Sequence, residues 1–475
     1  MKNIIVPKSG QRGSVLLVSL VITFIIGLTL ASYLIMTQSQ NVSVARSQTW
    51  NASIALSEAG VEDALAMLNK NGGNFDTIYY WTNSSSLNAD GWQTLAGNVY
   101  HTRRYLGSNY YDSYITNLNN SPTIRAIGTV AWNYSFASAP QSFFAAAGAG
   151  SSTPAVIVRQ LEVRTKLEPL FNVAMAAIKA IDFNGKRVGT DSFDSADQNY
   201  SDPGGLYPAD VNKTKAGGDV VTDDIIIGAL NVGEAKIKGV AKTGPKGTID
   251  IGSNGSVGDR AWVEGGNTGI QTGHSADDMN VIFDPVSLPT LPTPAAGWPS
   301  PYWWMKNVSV NGTVYDYVFP TSGDYKLSSL GGKVYIAPNA NVRLYVTGSA
   351  NYNGQDRIDL DSSAVLKVYM GGNFSTSGNA WINNSSQNAA NFYLFGLPTC
   401  TSIAFNGNGA FTGVVYAPQA DFSLGGGGSD TYDFVGSSVT KTVHMNGHYH
   451  FHYDENLRRV GPANGYIPTN WKEVQ

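Results

Sequence analysis

The feature that most limits how this chain can fold is an uncharged apolar run near its N-terminus. Lys2, Lys8 and Arg12 precede the run, and no further charged residue occurs before Arg46. The residues from 15 to 36 would form a helix about 33 Å long, enough to span the hydrocarbon core of a bilayer. The positive flank predicts a cytoplasmic N-terminus, with the rest of the chain on the far side. We therefore expect a single-pass protein of the cytoplasmic membrane.

A cleaved secretory signal is an open alternative. Ser43-Val44-Ala45 is a small-x-small sequence of the kind that signal peptidase cuts, and cleavage there would leave a chain beginning at Arg46. The apolar core of a signal peptide is usually shorter, about 7–15 residues. The length of the run therefore favours a retained anchor.

Composition narrows the class of protein. A chain of 475 residues has room for two or three domains. Charged residues make up only 14%, the net charge is −4, and no basic block follows residue 12, so nucleic acid is not an expected partner. The single cysteine, Cys400, excludes an intramolecular disulfide, and we expect it to be a buried small side chain.

The helical pattern continues beyond the apolar run. Five apolar residues fall on one face of a helix. They are Trp50, Ile54, Val61, Leu65 and Leu68. Gly72-Gly73 would end this helix, and a continuous helix over residues 14–70 would be about 85 Å long. Such a helix is longer than an anchor requires, and it suits packing against copies of itself or a sheet.

Three features of this region together resemble a known family. They are the basic leader ending at Gly13, the run SVLLVSLVITFIIGLTL (14–30) and ALSEAGVEDALAMLN (55–69). The region resembles the N-terminus of type IV pilins, in particular PilX-type minor pilins. The resemblance implies a leader over 1–13 that a prepilin peptidase removes, a mature chain beginning at Ser14, and a membrane-spanning pilin helix over 14–73. It also implies a bacterial cytoplasmic membrane, and other pilin subunits and the pilus assembly machinery as partners.

One position departs from the family pattern. Most pilins carry a glutamate at the fifth mature position, where it meets the N-terminal amine of a neighbouring subunit. Here that position is Val18. A carboxylate in hydrocarbon is costly unless paired, so a subunit with no neighbour above it can dispense with one. Val18 favours a tip or initiating subunit, and the alternative is a plain anchor that no peptidase cuts.

After the helix, the spacing of apolar residues changes from the helical period to the alternation that is typical of β-strands. Four short runs rich in Val, Ile, Tyr and Thr are separated by Gly and Asn. They span residues 98–107, 110–118, 123–132 and 155–167. We expect them to form an antiparallel β domain over 74–167, packed on the amphipathic part of the helix as in a pilin head. The small-residue segment 144–154 is expected to be a loop.

The second half of the chain repeats itself. YIAPNANVRL (335–344) and VYAPQADFSL (415–424) share one pattern. Aromatic or aliphatic centres recur about every 20–24 residues, at Tyr345, Tyr369, Tyr393, Val415 and Val435. This step is typical of the coils of a parallel β-helix and is about twice the turn-to-turn spacing of a sandwich. Residues 224–258 show the same pattern of short apolar runs separated by Gly, Asn or Asp, and they would supply two or three earlier coils.

These repeats predict a parallel β-helix over 168–457, followed by a tail over 458–475. A Pro- and Trp-rich excursion at 283–330 would interrupt it, because prolines remove ladder hydrogen bonds. The region, notably IDFNGKRVGTDSFDS (181–195) and HYDENL (452–457), resembles C-terminal right-handed parallel β-helix domains that accompany PilX-type N-termini in large bacterial surface proteins. No activity is implied by this resemblance. The predicted fold class is thus mainly β with one long N-terminal α-helix: a pilin-like helix plus antiparallel sheet, then a parallel β-helix (solenoid).

A histidine cluster is the first candidate site. His448, His450 and His452 alternate, so a strand would place them on one face, with Asp454 as a further ligand. Zn²⁺ takes imidazole and carboxylate ligands, but a straight strand usually presents only two of three to one ion. The alternative is a stacked terminal coil whose aromatic residues face the core.

An aspartate-rich loop is the second candidate. Asp191, Asp194, Asp197 and Asp202 could offer oxygen ligands to Ca²⁺, although the EF-hand spacing is absent. The alternative is a set of Asx turns that satisfy backbone groups. We expect no cofactor, and Ca²⁺ or Zn²⁺ stays an open alternative.

Catalytic carboxylates are the third candidate. Some β-helix proteins cleave polysaccharides with paired carboxylates, and Asp356, Asp359 and Asp361 are the best placed. No acid–base partner stands nearby in the sequence, so we expect no enzymatic activity and no catalytic residues. The glycan-cleaving enzyme is the least favoured alternative.

The favoured function is therefore structural. We expect a pilin-like subunit, at the tip or in low copy in a type IV pilus or pseudopilus, that presents a β-helix for adhesion or assembly. A surface glycan or protein would be its ligand. The runner-up is a non-piliated, membrane-anchored surface protein with a β-helix stalk.

Overall fold

The computed structural model describes residues 12–70, 84–118, 121–132, 155–185, 187–289, 297–407, 409–426, 432–461 and 463–474. The predicted leader residues 1–11, the glycines at 72 and 73 and the predicted loop at 144–154 lie outside these ranges. The chain forms two compact units. The first consists of Met1–Met67, Asn83–Lys166 and Ile467–Gln475, and the second of Leu68–Thr82 and Leu167–Tyr466.

The described helices are few and the strands many. The helices are α1 (Arg12–Asn69), α2 (Ser84–Ala89), α3 (Arg260–Glu264) and α4 (Leu457–Val460). The strands up to residue 276 are β1 (Gln93–Leu95), β2 (Val99–Leu106), β3 (Asn109–Thr116), β4 (Thr123–Trp132), β5 (Ala155–Pro169), β6 (Met175–Ala177), β7 (Ile181–Phe183), β8 (Gly189–Phe193), β9 (Val220–Thr222), β10 (Leu230–Gly233), β11 (Lys236–Lys238), β12 (Ala241–Lys242), β13 (Ile249–Ile251), β14 (Ser256–Gly258), β15 (Gly269–Ile270) and β16 (Ser275–Ala276). The later strands are β17 (Lys306–Val310), β18 (Thr313–Phe319), β19 (Gly323–Leu327), β20 (Lys333–Ile336), β21 (Asn341–Val346), β22 (Ala350–Tyr352), β23 (Arg357–Leu360), β24 (Val365–Met370), β25 (Phe374–Gly378), β26 (Trp381–Asn384), β27 (Phe392–Gly396), β28 (Ser402–Gly407), β29 (Phe411–Leu424), β30 (Tyr432–Met445), β31 (Tyr449–Asp454) and β32 (Ala463–Val474).

The first unit is a sheet packed on the second half of α1. Its strand order is β1-β2-β3-β4-β5-β32, and the pairs from β1 to β5 are antiparallel. The four strands predicted from alternation correspond to β2, β3, β4 and β5. The predicted C-terminal tail is wrong in part, because residues 463–474 form the sixth strand of this sheet.

A track of small residues lets α1 approach the sheet closely. Ser53 Oγ donates to the carbonyl of Gly128 at 2.8 Å, and the Gly128 amide donates to Ser57 Oγ at 2.9 Å. Ser113 Oγ on β3 donates to the carbonyl of Gly60 at 2.7 Å. A Cβ on Gly128 would lie 2.2 Å from the Ser53 carbonyl oxygen, so only glycine fits there. Of the predicted apolar stripe, Val61 is buried, so the contact combines apolar burial with serine hydrogen bonds.

The second unit is built from parallel strands that pair coil upon coil. One ladder of paired residues runs through ten strands. It is Lys326–Tyr345–Tyr369–Phe395–Tyr416–Val439–Ala176–Val221–Lys242–Ala276. A second parallel ladder runs through β22, β25, β28, β29, β30, β7, β10 and β13. Phenylalanine rings fill the space between the ladders, with Phe434 stacked on Phe451 at 4.3 Å.

The order of the coils in the stack differs from their order in the chain. The last two strands before residue 454 are β30, which pairs with β6 and β7, and β31, which stacks on the start of β30 and pairs with β8. The coils from 175 to 276 therefore extend the stack beyond residue 454. We call the contact of β31 with β8 the seam. Residues 224–258, where we expect earlier coils, contain the parallel-paired strands β10, β11, β13 and β14, and the sequence did not predict their place in the stack after β31.

Described residues on both sides of 290–296 contact the stack. The Val281 amide donates to Asp223 Oδ1 at 3.1 Å, Tyr416 donates to the Asp284 carbonyl at 2.8 Å, and the Lys326 amide donates to the Pro299 carbonyl at 2.7 Å. These partners lie on successive parts of the stack. The predicted excursion to residue 330 is too long, because β17, β18 and β19 occupy 306–327 and pair in ladders.

The predicted fold class, mainly β with one long N-terminal helix, is confirmed. The antiparallel sheet and the parallel ladders that follow it agree with the expected order. The winding of the second unit as a right-handed β-helix stays a prediction.

Candidate functional site

The first half of α1 is an apolar surface. Helix α1 has 58 residues and is long and apolar enough to cross a membrane. The large apolar side chains between Val15 and Met36 are 43% to 72% exposed. Val18 is among them, at 53%. The predicted processing residues Gly13 and Ser14 lie within α1, directly before Val15.

The second half of α1 carries the contacts with the sheet. Arg104 Nε lies 3.3 Å from Asp63 Oδ2, and the Tyr111 hydroxyl donates to the same oxygen at 3.2 Å. Arg159 lies over the ring of Trp50 at 4.7 Å, and this predicted stripe residue is 45% exposed. One helix thus presents a bare apolar half and a packed half.

The seam holds a compact set of metal-ligating groups. Among the described residues, ligand atoms of Asp433, His450 and His452 all lie within 4.8 Å of one another. The parallel register brings them together, because Asp433 on β30 pairs with His450 on β31, and His452 lies two residues further on the same face. His452 Nε2 is 3.3 Å from Asp433 Oδ1.

A second carboxylate fixes the orientation of His452. Asp191 on β8 is paired in register with His452, and its Oδ1 lies 2.6 Å from His452 Nδ1. The Tyr207 hydroxyl donates to Asp191 Oδ2 at 2.9 Å, and the Tyr207 ring lies 3.7 Å from that of His452. Lys238 Nζ is 3.8 Å from the same Asp191 oxygen. His452 is therefore held on both sides within the seam.

Burial and charge act against each other at His452. Its side chain is 5% exposed, and burial opposes the charged imidazolium. The hydrogen bonds with Asp191 and Asp433 outweigh burial and raise the pKa of His452 to about 9. The hydrogen bond from His452 lowers the pKa of Asp433. Burial, and then the charge of His452, lower the pKa of His450.

The sequence placed only part of this set correctly. His450 and His452 are together as predicted, and Asp191 joins them from another coil. His448 precedes β31, which begins at Tyr449, so it does not share the strand geometry. Asp194 accepts from the Ala196 amide at 3.1 Å and pairs with Arg459 instead.

The expected fourth ligand, Asp454, is occupied elsewhere. It accepts from the Ser195 amide and the Asn456 amide, each at 3.0 Å, and is 1% exposed. The carboxylate that lies beside His450 and His452 belongs to Asp433 instead. Sequence reasoning missed Asp433 because only the register between β30 and β31 sets it beside His450.

The aspartate-rich loop consists of separate hydrogen-bonded turns. Asp197 accepts from the amide and side chain of Asn199, both at 2.9 Å, as an Asx turn does. Asp202 accepts from the Ala209 amide and pairs with Lys213 at 3.1 Å. The arrangement follows the turn alternative rather than a shared oxygen cage.

The carboxylates considered for catalysis have structural partners. Asp359 is buried and accepts from Tyr315 at 2.7 Å, with Arg357 also at 2.7 Å. Asp361 accepts from the Ser363 amide and hydroxyl within its own turn. Asp356 accepts from the Asn353 amide at 3.0 Å. Asp356 and Asp361 are thus engaged within their own turns, and Asp359 links β23 to β18.

Comparisons with known proteins include a match to a family model and likenesses to solved structures. Residues 306–460 match a family model described as "Domain of unknown function (DUF7305)". No curated protein matches the chain. The crystal structure of the competence-associated pilin ComZ from Thermus thermophilus is similar over 90% of this chain and 98% of that chain, with 13% identity and a TM-score of 0.29. A TM-score of that size carries no conclusion about this chain.

Proposed function

We propose that the chain is a pilin-like subunit that α1 anchors in the cytoplasmic membrane. The observation that carries this proposal is the division of α1 into two halves. Residues 15–36 expose a continuous apolar surface, whereas Ser53, Ser57 and Gly60 form hydrogen bonds with the antiparallel sheet. A bilayer requires only about 20 residues of helix, and α1 is about 87 Å long. The additional length makes α1 both an anchor and the spine of a head domain.

The remaining parts of the proposal concern processing and position. A prepilin peptidase removes residues 1–13, and the mature chain begins at Ser14. Val18 leaves no carboxylate in hydrocarbon, so the subunit requires no partner amine above it. The subunit therefore acts at the tip or in low copy, together with other pilin subunits and the assembly machinery.

The second unit is the part proposed for adhesion or assembly. Its parallel ladders support a parallel β-helix, which the subunit would present outside the cytoplasm. Tyr302, Trp303 and Trp304 are 56%, 84% and 47% exposed, and the rings of Tyr302 and Trp304 stack at 5.7 Å. Exposed aromatic rings of this kind suit a surface glycan or protein ligand. No catalytic role is proposed, because the candidate aspartates have structural partners.

The experiment compares sheared filaments with membranes from a host that assembles type IV pili. Immunoblotting and immunogold labelling should find the protein in sheared filaments, at their ends. Val18→Glu should increase its amount along the filaments, because the carboxylate can then pair with a neighbouring amine. Val21→Glu, an exposed position on the same helix, is the matched control and should not increase it. Protein that stays in the membrane after shearing would instead establish the non-piliated anchored alternative.

A further inference from the structure

We propose that Asp433, His450 and His452 bind one divalent transition-metal ion of the Zn²⁺ class, with Asp191 as the outer carboxylate that orients His452. This site lies at the seam and does not depend on the pilin proposal. It goes beyond the predicted histidine site because its oxygen ligand comes from the neighbouring coil.

The distances already approach those of a tetrahedral site. Zn–N and Zn–O bonds of about 2.0–2.2 Å place neighbouring ligand atoms about 3.4 Å apart. His452 Nε2 and Asp433 Oδ1 are 3.3 Å apart, and the three ligand atoms lie within 4.8 Å of one another. His450 is partly exposed, so a small rotation of its ring can bring its nitrogen nearer. Three protein ligands leave a fourth position for water.

The outer carboxylate follows the chemistry of known metal-binding histidines. A histidine ligand usually donates its other ring N–H to a carboxylate, which fixes the tautomer. Asp191 Oδ1 at 2.6 Å from His452 Nδ1 directs His452 Nε2 towards Asp433 and His450. Tyr207 holds the second oxygen of Asp191. The metal-binding nitrogen is thus positioned before any ion arrives, and the ion would replace the proton that Nε2 shares with Asp433.

The surroundings leave room and access for an ion. His450 pairs with Gly189 across the seam, and a Cβ on Gly189 would lie 3.4 Å from His450 Cδ2. Gly189 therefore places no side chain against the His450 ring from β8. Asp433 has 52% of its side chain exposed, which gives an entry path from solvent.

Two imidazoles and one carboxylate favour a particular class of ion. Imidazole suits Zn²⁺, Cu²⁺ and Ni²⁺, whereas Ca²⁺ and Mg²⁺ require oxygen ligands. The ligands come from β30 and β31, and Asp191 comes from β8. An ion would therefore link three adjacent coils where the last coil meets the earlier part of the chain, and it would stabilise the seam.

The test uses the full chain in detergent, stripped of metal with a chelator and dialysed against Zn²⁺. Metal analysis should find one Zn²⁺ per chain, and Zn²⁺ should raise the unfolding temperature. His450→Gln and Asp433→Asn should each lower the affinity for Zn²⁺ at least about tenfold and abolish the thermal shift. Asp191→Asn should lower it about 10–100-fold.

His444→Gln is the matched control. His444 on β30 has its Nδ1 3.1 Å from Oδ2 of Asp182 on β7, so the two form another histidine–aspartate pair between adjacent strands, outside the proposed set. This variant should bind Zn²⁺ as the parent chain does. The proposal would be overturned if the parent chain retained no Zn²⁺, if His450→Gln retained as much as the parent, or if His444→Gln lost as much as His450→Gln.

Discussion

The sharpest structural prediction concerns Gly128, where β4 passes under α1. An alanine Cβ there would lie 2.2 Å from the Ser53 carbonyl oxygen and 2.8 Å from both the Ser57 amide nitrogen and Ser57 Oγ. Ordinary contact begins near 3.4 Å, so helix and strand must separate by about 1 Å. Backbone atoms of α1 cannot rotate away as a flexible side chain could.

The free-energy cost follows from two terms. Overpacking of this kind costs about 1–3 kcal/mol. The separation also stretches the two hydrogen bonds between Gly128 and the serines, each contributing about 1 kcal/mol. We expect Gly128→Ala to reduce the local stability of the helix–sheet contact by about 3–5 kcal/mol.

Hydrogen exchange with mass spectrometry on the full chain in detergent measures this change segment by segment. Peptides within 50–66 and 123–132 should exchange about 100-fold faster or more, whereas peptides within 342–370 in the second unit should not change. Gly409→Ala is the control, because its Cβ would lie 3.4 Å from the nearest atom, the Ala380 carbonyl oxygen. Unchanged protection of residues 50–66 in Gly128→Ala would refute the close packing of α1 on the sheet.

Three further changes test other parts of the structure. Tyr352→Phe should raise the free energy of unfolding by about 1–3 kcal/mol, because its buried hydroxyl has no hydrogen-bond partner among the described residues. Tyr453→Phe should lower the free energy of unfolding by about 1 kcal/mol, since it removes a hydrogen bond to a carbonyl. Urea unfolding of both variants checks the opposite signs. Burial raises the pKa of Asp112, but the hydrogen bonds from Arg103 and His101 outweigh burial and lower this pKa below its usual value. The contribution of Asp112 to the free energy of unfolding is therefore present above about pH 4, and it is lost as the pH falls through the lowered pKa. Asp112→Asn should therefore lower the unfolding temperature at pH 7. The unfolding temperature of this variant should also decrease less between pH 7 and pH 3 than that of the parent chain, and an equal decrease in the two proteins would contradict the prediction. Burial raises the pKa of Cys400 to about 11, so iodoacetamide should label it only after unfolding, and rapid labelling of the native chain would contradict its burial.

Local patterns explain why the first unit was predictable. Alternation of apolar and polar residues depends only on neighbours in the sequence, and it predicted β2, β3, β4 and β5 within a few residues. The strand β32 was missed because Pro468 interrupts its pattern. Proline is tolerated on an edge strand, and β32 is at the edge of the sheet.

The sequence predicted the repeat, but the residues that it expected to pair between successive strands were only partly correct. Tyr345 pairs with Tyr369 as the predicted spacing requires, whereas Tyr369 pairs with Phe395 instead of Tyr393. Tyr393 and Phe395 are both apolar and two residues apart, so a period of two cannot distinguish them. A turn of 3-10 helix at Ala389–Asn391 supplies the additional residues.

The candidate metal site was predictable only in part for a related reason. The alternation of His450 and His452 is local, and it predicted two ligands on one face. Asp433 and Asp191 depend on the register of β31 with β30 and β8, and β8 lies more than 250 residues earlier in the chain. The order of coils at the seam has no local signal in the sequence.

The most direct test of the proposed function is the mass of the N-terminus of the membrane-extracted protein, measured with and without a co-expressed prepilin peptidase. The account predicts a mature chain that begins at Ser14 only when the peptidase is present, and an uncut chain for Gly13→Ala. A chain that keeps residues 1–13 with the peptidase, or one that begins at Arg46, would contradict the pilin proposal.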